Sequence, residues 1–120
     1  MRRARHIKTM QIYKILRADE WQFLQETGET LGAPIDLADG YVHFSTAAQA
    51  AETAEKYFAG VEGLMLLAVE ADTCHEIKWE PSRGGALFPH LYRALKMADV
   101  LWAKPLPAAG STHIFPDDMV

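Results

Sequence analysis

The chain has 120 residues, 49% of them hydrophobic, 23% charged and 10% aromatic, with a formal net charge of −4. That composition suits one globular core and excludes collagen-like or wholly disordered order. The longest apolar run, residues 64–69, falls far short of the ~20 residues a membrane helix needs.

Charge is unevenly distributed. Arg2, Arg3, Arg5 and Lys8 precede Met10, and without them eight basic residues face sixteen acidic ones. An acidic body is a poor match for a phosphate backbone, so no extended nucleic-acid surface is expected; one small anionic ligand in a local pocket is still compatible. No apolar segment follows the basic start, so it is not a secretory signal. We read residues 1–9 as a disordered basic extension, residues 10–107 as a single α+β domain and residues 108–120 as a C-terminal tail. Cys74 is the only cysteine, which fits a cytoplasmic protein without a disulfide.

In chain order, Gln11–Leu16 is a β-prone run. A short helix opens at Asp19 and Glu20, carries Trp21 and Leu24, and closes at Gly28. Residues 30–39 read as loop. A strand over 41–44 runs into the clearest helix, where Thr46 and Gln49 have capping-box spacing. Ala47, Ala50, Ala51, Ala54, Tyr57 and Phe58 form its apolar face, and Gly60 suits a left-handed C-terminal cap. Residues 64–69 read as a central strand buried on both faces and 77–80 as another. Residues 81–89 read as a Gly/Pro loop, 100–104 as a last strand stopped by Pro105, and everything after Leu106 as tail. The expected architecture is α+β, mostly antiparallel, with two main helices.

Two stretches carry the chemistry. In Gly40-Tyr41-Val42-His43-Phe44-Ser45-Thr46, strand alternation puts Val42 and Phe44 on a core face and Tyr41, His43 and Ser45 on the other. That polar face meets a helix N-terminus, whose free N–H groups suit a phosphate or carboxylate. The alternative is a solvated strand face with Ser45 or Thr46 as a simple cap. In the second stretch, Trp79-Glu80-Pro81-Ser82-Arg83-Gly84-Gly85 leads into Phe88-Pro89-His90-Leu91-Tyr92. Arg83 offers an anion-binding fork and His90 an imidazole among apolar neighbours; the alternative is a surface loop with His90 bonded to a carbonyl. No phosphate-loop or dinucleotide-fold glycine motif occurs, and no Cys/His spacing fits zinc, so no metal is expected. Cys74 and His75 are strand neighbours that point apart, and His6 and His113 fall in the expected tails.

With Ile12-Tyr13-Lys14-Ile15, these motifs resemble the bacterial family called domain of unknown function 952, from about Ile12 to Leu106. That family is grouped with the ADP-ribosyltransferase-like superfamily, so the resemblance implies a split, two-sheet α+β fold gripping NAD in a cleft. The Val42-His43-Phe44-Ser45 stretch is similar to the His-x-His-hydrophobic-Ser stretch of the RNA 2′-phosphotransferases, with Tyr41 in place of the first His. The resemblance implies binding of NAD or a related nucleotide or phosphate ligand, and transfer of ADP-ribose or a phosphate. Residue chemistry and resemblance together make His43, Glu80 and His90 the candidate catalytic residues and Lys14, Tyr41, Ser45, Thr46, Arg83 and Tyr92 the candidate ligand-binding ones; the resemblance itself implies Tyr41, His43 or Ser45 for the middle strand and Glu80 for the late Glu. Where the superfamily's early strand carries a His or Arg, this chain has Tyr13 and Lys14. The alternative is a non-catalytic module using the same cleft for a small anion or a protein partner.

Overall fold

The computed structural model describes residues 10–120; the expected extension, residues 1–9, lies outside the described residues. The chain opens with β1 (Gln11–Leu16), buried along almost its whole length. Helix α1 (Ala18–Thr27) starts where Glu20 accepts the Arg17 backbone N–H at 2.9 Å and stops at Gly28. The two-residue β2 (Glu29–Thr30) follows. Next comes α2 (Pro34–Asp39), in a segment expected as loop. Pro34 at its first turn has no N–H to waste, and Asp36 accepts the Ala33 N–H at 2.7 Å. Six residues are too few for a readable periodicity, which is why the helix escapes a pattern reading.

The short β3 (Val42–His43) leads into α3 (Ala47–Tyr57), capped as expected by Thr46 and Gln49. Its apolar face is narrower than the alanine stripe implies. Ala50 and Ala54 are buried, whereas Ala51 and Tyr57 are exposed. The helix also ends before Gly60, with Phe58 as its C-cap. Then come β4 (Leu64–Glu70), β5 (Ile77–Pro81), β6 (Leu87–Leu91), β7 (Leu95–Lys96) and β8 (Val100–Leu106), and a final hairpin of β9 (Ala108–Ala109) and β10 (Thr112–His113).

One sheet has the order β1-β4-β8 and a second the order β3-β6-β5, both antiparallel; β2 pairs with β7. The architecture is thus α+β, split into sheets, with two long helices and one short one. The first sheet is covered on both faces. Ile12, Leu16, Leu67 and Val69 pack with Leu24 of α1 and with Val42, Phe44 and Leu91. Tyr13, Leu64, Leu66 and Ala68 pack with Ala54 of α3 and with Leu106. Burial on both sides explains why 64–69 reads as an unbroken apolar run.

Three further expectations are corrected. Residues 87–89, expected as loop, belong to the central strand β6, although it contains Pro89. Proline is rare in central strands because it lacks a donor; here the Pro89 carbonyl still accepts Phe44 N–H at 3.0 Å. Strand β8 runs through Pro105, because it is an edge strand and needs no donor on its free side. The residues after Leu106 are ordered as a hairpin, with His113 buried and its Nε2 2.8 Å from the Val61 carbonyl. No helix among the described residues is long and apolar enough to cross a membrane.

The two main sheets are stitched at one point. Tyr13 N–H donates to the Ser45 carbonyl at 2.7 Å, and Ser45 N–H to the Tyr13 carbonyl at 2.9 Å. That bridge sets the end of β3 against β1 and places the polar face of the second sheet beside α2 and α3.

Candidate functional site

Register builds the site. His43 of β3 lies directly opposite His90 of β6, and Glu80 of β5 is the diagonal neighbour of His90. The imidazole rings meet edge to face, with centroids 5.2 Å apart. Tyr41 stacks across His90 at 4.2 Å and sits 5.0 Å from the ring of Tyr92. These spacings are those of favourable aromatic pairs, which hold the cluster in one arrangement.

His90 is 2% exposed. Its Nδ1 is 2.7 Å from Glu80 Oε1, and the Tyr92 hydroxyl donates to the same oxygen at 2.7 Å. The His90 and Tyr92 hydrogen bonds hold the Glu80 carboxyl below its ordinary range. Donating to Glu80 pushes the Tyr92 phenol up to about 12. Because an ionised carboxylate only accepts, the proton of this hydrogen bond sits on His90 Nδ1. His90 Nε2 is buried without a hydrogen-bond partner.

His43 is held differently. Its Nδ1 is 2.5 Å from Asp36 Oδ1 and its Nε2 is 3.0 Å from Asp39 Oδ2. Both ring nitrogens are therefore spent on carboxylates. Asp36 also accepts the His43 backbone N–H at 3.0 Å and Lys14 Nζ at 2.8 Å. Burial pushes the Asp36 carboxyl up. The hydrogen bond from His43 and the adjacent Lys14 outweigh that and hold it at about 2. Asp36 thereby ties β1, α2 and β3 together.

These groups border a cavity of about 790 Å³ between α2, α3 and the two sheets. Lys14, Tyr41, His43, Ser45 and His90 line it, with Asp39 at α2 and Tyr57 and Phe58 at the end of α3. The volume falls within the range that accepts nucleotide-sized ligands. Among the described residues no cluster of three or more His, Cys, Asp or Glu is placed to hold a metal ion.

With that geometry in place, comparison with known proteins is informative. The family described as "Protein of unknown function (DUF952)" matches residues 15–103. The chain belongs to the DUF952 family. Its fold is similar to that of protein CC0527 from Caulobacter crescentus. The crystal structure of that protein gives a TM-score of 0.83 at 46% identity, covering 87% of this chain and 93% of that one. The solution NMR structure of CC0527 gives 0.76 at 46% identity, covering 86% and 90%. No curated protein matches.

In this DUF952 chain the two predicted stretches do meet in space. His43, His90, Glu80, Tyr41 and Tyr92 form one cluster, and Lys14 joins it through Asp36. Ser45 is buried on the cavity wall and shares a 2.9 Å hydrogen bond with Thr53. Thr46 instead caps α3, its hydroxyl accepting Gln49 N–H at 3.2 Å while Gln49 Oε1 accepts Thr46 N–H at 3.0 Å. That box takes up the Thr46 and Gln49 N–H groups at the start of α3. Arg83 sits in a 3₁₀ turn after β5 (Arg83–Gly85). Sequence reasoning missed Asp36 and Asp39. The signal was Pro34 at one end and Gly40 at the other, which bracket a one-and-a-half-turn helix. Arg17, also missed, borders the cavity with its guanidinium 4.8 Å from the Phe58 ring centre.

Proposed function

We propose that this DUF952 protein is a transferase of the ADP-ribosyltransferase type, with NAD as its glycosyl donor and His90, oriented by Glu80, as its base. The observation that carries the reading is the His90 imidazole. It is buried on the cavity wall, fixed through Nδ1 by a carboxylate, with an Nε2 that has no protein partner. Leaving such a nitrogen unpaired costs about 1–3 kcal/mol; His113 Nδ1 is also buried without a partner, but of the two only His90 borders the cavity.

The residues fit a nucleotide donor. The cavity is large enough, aromatic side chains line it, and a carboxylate stands beside the candidate base. In the step they support, the bond between the ribose C1′ and the ring nitrogen breaks, and its electron pair leaves with nicotinamide. An acceptor hydroxyl or water forms the new bond to C1′ and gives its proton to His90 Nε2. Glu80, on the Nδ1 side of His90, holds the ring in place and stabilises the imidazolium that forms when Nε2 takes the proton. Tyr41 lies across His90, so its ring must swing aside for the acceptor to reach Nε2. His43, bonded at both nitrogens, is a fixed wall and hydrogen-bonding scaffold.

Incubation with NAD and chromatography of the products tests this. Nicotinamide release by the wild-type protein, lost in His90→Ala, is the expected result. No release, and no thermal shift with NAD, would overturn it.

One observation favours a second reading, a non-catalytic binding module. Lys14 and His43 are occupied by intramolecular partners, as are the Thr46 and Gln49 N–H groups at the start of α3. That reading predicts a thermal shift with ligand and no turnover.

A further inference from the structure

Four rings meet at the candidate site, and three of them are tethered by hydrogen bonds. His43 is held through both ring nitrogens by Asp36 and Asp39, His90 through Nδ1 by Glu80, and Tyr92 through its hydroxyl by the same Glu80 oxygen. Tyr41 is the fourth. Its ring lies 4.2 Å from His90 at an interplanar angle of 26°, with His43 at 4.7 Å and Tyr92 at 5.0 Å. Its phenol is raised first by burial and then by the charges of Asp39, Glu80 and Asp36, with no hydrogen bond contributing. Ring packing, rather than a polar tether, keeps it in place.

The backbone beside Tyr41 leaves it free to move. Strand β3 begins only at Val42, so Tyr41 stands outside the ladder. On its other side Gly40 closes α2 with a φ of +86°, its N–H donating to the Asp36 carbonyl at 2.9 Å. A Cβ at Gly40 would meet nothing within 4 Å, so the space around this joint is open. A single residue between a helix cap and a strand is where a hinge absorbs backbone rotation. Beneath the Tyr41 ring lies His90, whose Nε2 is buried and unpartnered although the residue borders a cavity of about 790 Å³. Stacking favours the covered position, and a buried nitrogen without a hydrogen bond opposes it. The two effects are of similar size, so the ring is not locked over the imidazole.

We propose that Tyr41 is an aromatic gate over His90. At rest its ring seals Nε2 from the cavity, and rotation at the Gly40–Tyr41 joint exposes that nitrogen to whatever the cavity holds. The closed arrangement is autoinhibitory, because it withholds the imidazole from water and from any acceptor until the ring is displaced. The gate concerns access to one atom, so it goes beyond the transfer reaction and holds whichever ligand the cavity takes.

Diethyl pyrocarbonate, a small electrophile that acylates accessible imidazole nitrogen, reads the gate directly, with the rate at each histidine followed by peptide mass spectrometry. Exposed His75 and buried His113 are internal references. In the wild type His90 should react about tenfold or more slowly than His75, because its rate scales with the open fraction. Tyr41→Ala and Tyr41→Ser should each raise the His90 rate about tenfold while His75 and His113 keep theirs. Tyr41→Phe retains the ring and should stay close to wild type. Either truncation that keeps the wild-type circular dichroism spectrum suffices for the test. An unchanged His90 rate in a folded truncation, an equal rise at His113, or a wild-type His90 as reactive as His75 overturns the gate. Unfolding of both truncations would make Tyr41 a structural ring and overturns it too. No NAD is present, so failure of the transfer reaction and failure of the gate are read separately.

Discussion

Lys14 and Asp36 form an ion pair closed off from water, 2.8 Å apart, with side chains 7% and 0% exposed. The pair joins β1 to α2, and Asp36 extends it to His43. Removing one partner of a buried pair leaves an uncompensated charge, which costs about 3–5 kcal/mol. Asp36→Leu should therefore lower stability by about that amount in urea unfolding. The double variant Lys14→Met/Asp36→Leu should recover the part owed to the stranded Lys14 ammonium and no more, because the His43 ring, its backbone N–H and the Ala33 N–H still lose their acceptor. A double variant as unstable as Asp36→Leu alone would contradict this account of the pair.

The same carboxylate sets an acid limit. Asp36 has a pKa of about 2 in the folded chain, against an ordinary value near 3.9. Its folded pKa is depressed, so its contribution is fully present above pH ~5 and is lost as pH falls through ~4 toward ~2. A difference of roughly two pKa units corresponds to about 2–3 kcal/mol. Unfolding midpoints measured from pH 6 down to pH 2 should fall steeply at the acid end. The Asp36→Asn variant should begin less stable and show a shallower fall.

Gly32 is required for this packing. Its φ is +98°, and a Cβ built there would sit 2.1 Å from Asp36 Oδ2. Gly84 also has positive φ, +65°, but a Cβ there meets open space. Gly32→Ala should thus cost more than the ~1–3 kcal/mol of backbone strain alone, and Gly84→Ala no more than that. Matched denaturation curves check the pair; equal losses would mean that Asp36 can move aside freely.

For the reaction itself, His90→Ala and Glu80→Gln should each reduce nicotinamide release by about 10²–10⁴, the usual worth of a positioned base. Thr46→Ala is the control. It removes only the α3 cap, costs about 1 kcal/mol of stability and should leave the rate per folded molecule unchanged. Parallel rate and circular dichroism measurements separate the two effects. A His90→Ala protein that stays folded and fully active would remove His90 from the reaction.

Where local pattern and tertiary environment agree, the chain was readable. The apolar 64–69 run, the Thr46/Gln49 cap and the Gly28 stop all appear where expected, and β-alternation correctly put Val42 and Phe44 in the core. The misses share a cause, namely that tertiary context overrode a local rule. Pro89 reads as a strand breaker, but β6 is formed around it because neighbouring strands supply its other bonds. Pro105 reads as a stop, but an edge position tolerates it. Residues 108–120 read as tail, but His113 is anchored by Val61 and the Val120 N–H donates to the Tyr13 hydroxyl at 3.0 Å. The site was half visible. Both histidine motifs stood out by composition, while Asp36 and Asp39, which decide how His43 is held, lay in a segment with no periodic signal. Only pairing across 47 residues brings His43 opposite His90.

The central claim is that NAD binds where His90 and Glu80 face His43. Titrating ¹⁵N-labelled protein with NAD and following amide and imidazole shifts tests it most directly. The account predicts saturable shifts concentrated at His90, Glu80, Tyr41, His43 and Ser45, with shifts at His90 Nε2 that are absent at His113. Saturable shifts clustered elsewhere, around Arg93 and Asp99 for example, or no shifts at millimolar NAD, would contradict it.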